Sequence, residues 1–384
     1  MYITTNNTSL QPLLFDFDEF LCRCNIKLSK RESEFASLWN AVAGMLPERM
    51  FETNQRGRRG YRDADIIAVR VAMLFFRQTN IKGTLSFLAM APGVRMVIGM
   101  DSIPSESVVS RRSRELAGAV DIDSMFDSVT CSFYDDRTIG NLSIDSTPVE
   151  GRETPHTNRK SADNSENKEK KEKKKRGPKP KGSKEEAEYK AKILEKEKVE
   201  ETAKTGDVKQ FLSTLENRCT ITGKLNSKGH MQWRIGYKVH LAVDDMGIPV
   251  SFAVTGASVH DSRLAIPLMR MAGDRVRFLY ALMDGGYSSG DIMEFTKSMD
   301  AVPVIDFKAD RNGVKAEMEP AKKIRYRGRT TVERTNSELK DCFLPPKLYS
   351  RGSKAILDIK LAVLLLTMKK IRKAVMMLEE RKTA

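Results

Sequence analysis

Up to about residue 135 the apolar positions of this chain recur at helical spacing. Phe35, Leu38, Trp39, Val42 and Leu46 share one side of a helix that Ser29-Lys-Arg-Glu32 opens as a capping box and Pro47 stops. Asp63 or Asp65 starts a strongly apolar helix through Ile66, Val69, Met73 and Phe76, and a shorter helix from about Leu85 to Met90 ends at Pro92-Gly93. From residue 140 the period falls to two. Asn141-Leu-Ser-Ile-Asp-Ser-Thr147 puts Leu142 and Ile144 on one face of a strand and Ser143, Asp145 and Thr147 on the other. Ile235–Val243 and Ile248–Val254 read as a hairpin turning at Asp244-Asp-Met-Gly247. Ser258-Val-His-Asp261 caps a helix through Leu264 and Met269. Phe278-Leu-Tyr-Ala-Leu-Met-Asp284 is a continuous apolar run, as in a buried parallel strand, and it ends in a carboxylate followed by two glycines. A helix from about Ile292 to Met299 and a fifth strand, Val302 to Ile305, complete the pattern.

These elements predict an α/β fold with a mixed five-stranded sheet flanked by helices, a helical N-terminal domain and a charged insertion. The expected partition is a helical domain over 1–135, the first strand over 136–150, the insertion over 151–215, the rest of the sheet domain over 216–350 and a C-terminal helix over 351–384. The insertion holds the run from Lys168 to Arg176, with no apolar residue to offset the entropy of ordering it. Arg176-Gly-Pro-Lys-Pro-Lys-Gly182 is extended by its prolines. Arg176 and Lys179 there suit a narrow minor groove, and a solvated linker is the plainer reading.

A formal net charge of +15 and a pI near 9.5 favour a polyanionic partner, nucleic acid first. The five cysteines form no C-x-x-C pair, which argues against a disulfide framework or zinc ribbon and for a reducing compartment. The N-terminus lacks the regions of a signal peptide, and the apolar run near Leu361 to Leu366 is too short to span a bilayer, so a cytoplasmic protein with no membrane partner is expected. The segment from Ile103 to Leu116 outlines the second helix of a helix-turn-helix, which would bring Arg111, Arg112 and Arg114 to a major groove; an ordinary surface helix is the alternative. Trp233 precedes a strand, where core or edge packing is the expected role and stacking on a flipped base the alternative.

The candidate chemistry lies near the end of the chain. In Tyr326-Arg-Gly-Arg-Thr-Thr-Val-Glu-Arg-Thr-Asn-Ser-Glu-Leu-Lys340, helical spacing lines Tyr326, Arg329, Glu333 and Lys340 along one stripe, beside an apolar stripe of Val332 and Leu339. A carboxylate among an arginine, a lysine and a phenol suits a metal and the phosphate it activates. The topology can bring Asp145, Asp284 and Glu333 together. Bare, they would repel one another; two Mg²⁺ or Mn²⁺ ions would relieve the repulsion and, roughly 3.5–4 Å apart, serve phosphodiester cleavage.

Those residues resemble the bacterial insertion-sequence transposases of the DDE type marked by Tyr-x2-Arg-x3-Glu-x6-Lys, a signature complete here as Tyr326, Arg329, Glu333 and Lys340. LSIDSTPVE around Asp145, GYKVHLAVDDMGIPVSFAVTGASVHDS in the hairpin and LYALMDGGYSS around Asp284 are similar to that family too. The resemblance implies an RNase H-like catalytic domain in which Asp145, Asp284 and Glu333 ligate two Mg²⁺ ions. It also implies cleavage of transposon ends and joining of the freed 3′-hydroxyl to target DNA. Arg329 and Lys340 would grip phosphates and Tyr326 the phosphate of the terminal nucleotide. The partners implied are transposon-end and target double-stranded DNA and further copies of the chain, as a homodimer or higher multimer, in a nucleoid-associated setting. An inactive transposase-derived DNA-binding protein and an RNase H-fold nuclease are the alternatives.

Overall fold

The computed structural model describes residues 27–53, 60–135, 137–156, 201–225, 229–307 and 317–383. Helix α1 (Lys30–Met45) starts at the capping box: Ser29 Oγ accepts from the Glu32 N–H at 3.2 Å and Glu32 Oε2 from the Ser29 N–H at 2.8 Å. The following helices are α2 (Asp63–Phe75), α3 (Ile81–Met90), α4 (Pro92–Ile98), α5 (Glu106–Ala119) and α6 (Ile122–Tyr134). Pro92 opens α4 rather than only ending α3, because a helix's first N–H needs no partner and proline's fixed φ suits that position.

The sheet is built from β1 (Thr138–Glu150), β2 (Thr220–Leu225), β3 (Met231–Val243), β4 (Pro249–Gly256), β5 (Arg277–Met283) and β6 (Val302–Ile305). β1 runs antiparallel to β3 and parallel to β5, and β6 is parallel to β5. β4 pairs with the C-terminal half of β3 and β2 with its N-terminal half, both antiparallel. The expected five strands are therefore six. Missing from the sequence reading were β2 and the first residues of β3, a ribbon whose Ile221, Met231 and Trp233 are exposed and so leave no buried face to produce a legible alternation.

Gly236 is the joint between that ribbon and the main sheet, opposite both Glu150 and Thr220. Its φ is +149°, and a Cβ there would lie 2.1 Å from the Val149 carbonyl oxygen. Gly236→Ala is expected to cost about 1–3 kcal/mol or more, read as a lower urea midpoint at unchanged slope. A midpoint within error of wild type would show that the β1–β3 approach is not tight.

Each face of the sheet covers a core. On one, Val149, Tyr237, Val239, Leu241 and Val243 pack with α11 (Thr330–Cys342), α12 (Ser353–Thr383) and the N-terminal helices. The run Leu361–Leu366 of α12 is buried here. On the other, Leu142, Ile144, Ala242 and Val250 pack with α8 (Ser262–Gly273) and α9 (Gly290–Ser298), α7 being the short helix Val208–Thr214. The last helix before the site is α10 (Pro320–Tyr326).

Asp244 locks the β3–β4 turn. Its Oδ1 accepts from the N–H groups of Met246 at 2.9 Å and Ile248 at 2.7 Å, and its Oδ2 from the Tyr134 hydroxyl at 3.0 Å. Burial outweighs these bonds and pushes its carboxyl up to about 6. A folded pKa above the unfolded value gives stability that is full at low pH and lost as pH rises through about 6. Asp244→Asn, which keeps the turn acceptor, is therefore expected to gain on wild type by about 2–3 kcal/mol between pH 4 and pH 7. Urea titrations at the two pH values check this; a pH-independent difference refutes it.

Candidate active site

The parallel pairing of β1 with β5 sets Ser143 opposite Leu282. Two residues further along both strands are Asp145 and Asp284, on adjacent strands about 4.8 Å apart. Asp284 closes the strand by accepting the Gly286 N–H at 2.8 Å. Between α10 and α11 the chain makes a single tight 3₁₀ turn, Arg327–Arg329. Gly328 lets this turn lie against the sheet, because a Cβ there would stand 3.3 Å from Leu282 Cδ1 and 3.4 Å from Asn141 Nδ2. Arg329 is thereby delivered to the carboxylates.

Its guanidinium bridges two of the three acids, Nη1 lying 2.5 Å from Glu333 Oε1 and Nη2 3.4 Å from Asp145 Oδ1. Asn336, one turn on from Glu333, donates from Nδ2 to Asp145 Oδ2 at 3.4 Å. Burial pushes the Asp145 carboxyl up to about 6; Arg329 opposes the shift, and Asp284 and Asp261 add to it. Tyr287 is fully buried close to these acids, and burial first, then Asp261, Asp145 and Asp284, raises its phenol. The Tyr287 hydroxyl, Arg329 Nε and Asn336 Oδ1 are buried and have no hydrogen-bond partner.

Asp261 departs from its expected role. It stands at the head of α8 but makes no capping bond. Instead Lys238 Nζ donates to its Oδ1 at 2.9 Å and to the Val259 carbonyl at 2.8 Å. Burial pulls the Asp261 carboxyl up, but Lys238, His240 and the Ser146 hydroxyl outweigh it, and the net shift is downward. Asp261 is thus a fourth acid near Asp145, and a cap signature in the sequence hid it. Buried Tyr287 in Gly-Gly-Tyr287 had no sequence signal, whereas Asn336 lies seven residues from Arg329 and was readable on the same stripe. His260 is exposed, its Nδ1 2.7 Å from Ser262 Oγ.

The remaining expected residues are dispersed. Tyr326 ends α10, so the stripe is not one continuous helix; its phenol is raised by burial. Lys340 lies two turns beyond Glu333 on α11 and borders a cleft with Arg234, and burial, then Arg234, lowers its ammonium. Val332 and Leu339 are fully buried and hold α11 on the sheet. On α5, Val109, Ser113 and Leu116 face inward and Arg111 and Arg114 are exposed, while Arg112 is engaged by Asp63 and Glu115. Trp233 is 65% exposed, so it is not a core residue, and it packs over Gly223 of the neighbouring edge strand. Arg176 and Lys179 lie outside the described residues. Cys131, Cys219 and Cys342 are free thiols.

Residues 138–368 match the family model described as Transposase DDE domain. The chain belongs to that family. No curated protein and no solved structure matches it. The DDE transposase domain thus begins with the first residue of β1 and runs into α12, taking in the whole sheet and Asp145, Asp284 and Glu333. Helices α1–α6 precede it. DDE transposases act on DNA and generally use divalent metal ions. No single helix among the described residues is long and apolar enough to cross a membrane.

Among the described residues no three histidine, cysteine, aspartate or glutamate side chains stand together as a ready metal site. Arg329 supplies the positive charge between Asp145 and Glu333. The donor chemistry nevertheless fits a hard divalent cation: the acids offer oxygen ligands, and two further buried oxygens, Asn336 Oδ1 and the Tyr287 hydroxyl, lack partners.

Proposed function

We propose that this DDE transposase cleaves transposon ends and joins the freed 3′-hydroxyl to target DNA by two-metal-ion phosphoryl transfer on an RNase H-like domain. The observation that carries the reading is the adjacency of Asp145 and Asp284 on parallel strands, with Glu333 tied to Asp145 through Arg329. Asp145, Asp284 and Glu333 would hold two Mg²⁺ or Mn²⁺ ions. Held there, the ions would supply Lewis-acid activation of a water or 3′-hydroxyl and charge stabilisation for the leaving oxygen.

This chain's own residues bind and orient the strand. Arg329 now makes one contact to each of two carboxylates, and its planar guanidinium can exchange them for a bidentate grip on one DNA phosphate. Tyr326 is poised next to it for the phosphate of the terminal nucleotide, and Lys340 for one further along. The helical region before residue 135 would bind the element's end through Arg111 and Arg114. Assembly as a homodimer or higher multimer on paired ends completes the reading.

The test is incubation of the full chain with Mg²⁺ and a pair of duplexes cut from the DNA flanking its reading frame. Cleavage followed by joined products is the expected result. Cleavage without joining would make the protein a nuclease, and binding without either an inactive DNA-binding derivative.

A further inference from the structure

Beyond the acids, at the C-terminal end of β1, the surface opens into a cleft of about 330 Å³. Three cations from three elements converge on it: Arg77 just after α2, Arg234 on β3 and Lys340 on α11. Of its two carboxylates, Glu150 lies 3.5 Å from Lys347 and is engaged there, and the other is Asp341. Among the described residues no hydrogen bond or ion pair joins Arg77, Arg234 or Lys340 to an acid. Lys340 is half buried, with Arg234 as the like charge nearest in effect, so the pair repels where little water screens it.

Arg77 adds an independent sign. Its N–H bonds to the Leu74 carbonyl at 3.2 Å and the next N–H, of Gln78, to Met73 at 2.8 Å, the pattern that ends a helix in a left-handed residue. Glycine is usual in that position, yet here an arginine takes it with φ +55°. A strained backbone thus sets a cation at the cleft, and a neighbouring cleft of about 430 Å³ that Arg77 also borders carries Lys30, Arg31 and Lys369.

We propose that the Arg77–Arg234–Lys340 cleft is a binding site for a DNA backbone phosphate, with Arg77 and Arg234 holding the strand beyond the carboxylates. The inference rests on the transposase reading and extends it. Glu150 lies five residues along β1 from Asp145, about 17 Å at 3.3–3.4 Å per residue, so the phosphate held is not the one facing Asp145 but one further along the strand. Because Arg77 precedes the DDE domain and the other two cations lie within it, one bound phosphate ties the helical region to the catalytic sheet.

The experiment is anisotropy titration of the full chain against two fluorescein-labelled 40-base-pair duplexes, one from the flanking DNA with its terminal repeat and one of unrelated sequence. Arg77→Gly, which also relieves the backbone, and Arg234→Ala or the bulkier Arg234→Gln are compared with Arg372→Ala, an exposed charge on α12 away from the cleft. Each cleft variant is expected to weaken binding roughly tenfold and to flatten the slope of log affinity against log salt by about 0.9. Loss with the terminal duplex alone assigns the site to the element's end; loss with both assigns it to any duplex, target included. Unchanged affinity and slope in the cleft variants, or an equal loss in Arg372→Ala, overturns the proposal and leaves the transposase reading standing. Failure of the wild-type protein to bind either duplex would overturn both.

Discussion

Asp145→Asn, Asp284→Asn and Glu333→Gln are each expected to lower strand cleavage by about 10³-fold or more while leaving DNA affinity near that of wild type. Each change removes one oxygen ligand from the proposed metal site, and several kcal/mol of charge stabilisation translate into such a factor. Affinity should survive because it is dominated by lysine and arginine on phosphate, and each variant adds one positive charge to the +15 balance. Stability should hold as well. Burial pushes the Asp145 carboxyl up to about 6, so its ionised form costs free energy at neutral pH that asparagine does not. The Asp145→Asn protein should therefore melt no lower than wild type, even though Arg329 loses one partner. Gel assays of end-labelled duplex with Mg²⁺, beside anisotropy on the same preparations, measure both quantities. Retention of more than about a tenth of the cleavage by any one variant removes that residue from the ligand set.

The sheet was legible where one face is buried and the other is not. Alternation at Leu142, Ile144 and Asp145 placed the first acid on the polar face of its strand, and the apolar run ending in Asp284 marked a buried parallel strand and its carboxyl end. Side-chain period says nothing where neither face is buried, so the β2–β3 ribbon with Trp233 escaped notice. Helical spacing correctly joined Arg329 to Glu333. It could not show that Gly328 lets the chain tighten to a 3₁₀ turn against Leu282, or that the arginine would reach across to Asp145. Asp261 shows a further limit. An aspartate at the head of a helix satisfies a local rule, and only the tertiary approach of Lys238 from β3 reveals that its carboxylate is used elsewhere.

The same approach of distant segments gives the largest expected effect on stability. Arg70 and Asp358 are both fully buried, with Arg70 Nη1 3.0 Å from Asp358 Oδ2 and 2.8 Å from Ser350 Oγ, and Arg70 Nε 2.9 Å from Ser113 Oγ. Ser350 also donates to Asp358. This cluster joins α2 and α5 to α12, fixing the helices that precede the DDE domain onto its end. Two desolvated charges gain little over a well-packed apolar pair, but removing either one strands the other in a medium that cannot solvate it. Asp358→Leu and Arg70→Met are therefore each expected to cost about 3–5 kcal/mol, and the Arg70→Met/Asp358→Leu double variant much less than their sum. Urea denaturation of the four proteins gives the coupling directly. Losses below about 1 kcal/mol for both single variants, or a double variant as unstable as the two added together, would mean that the helices are held by the surrounding apolar core alone.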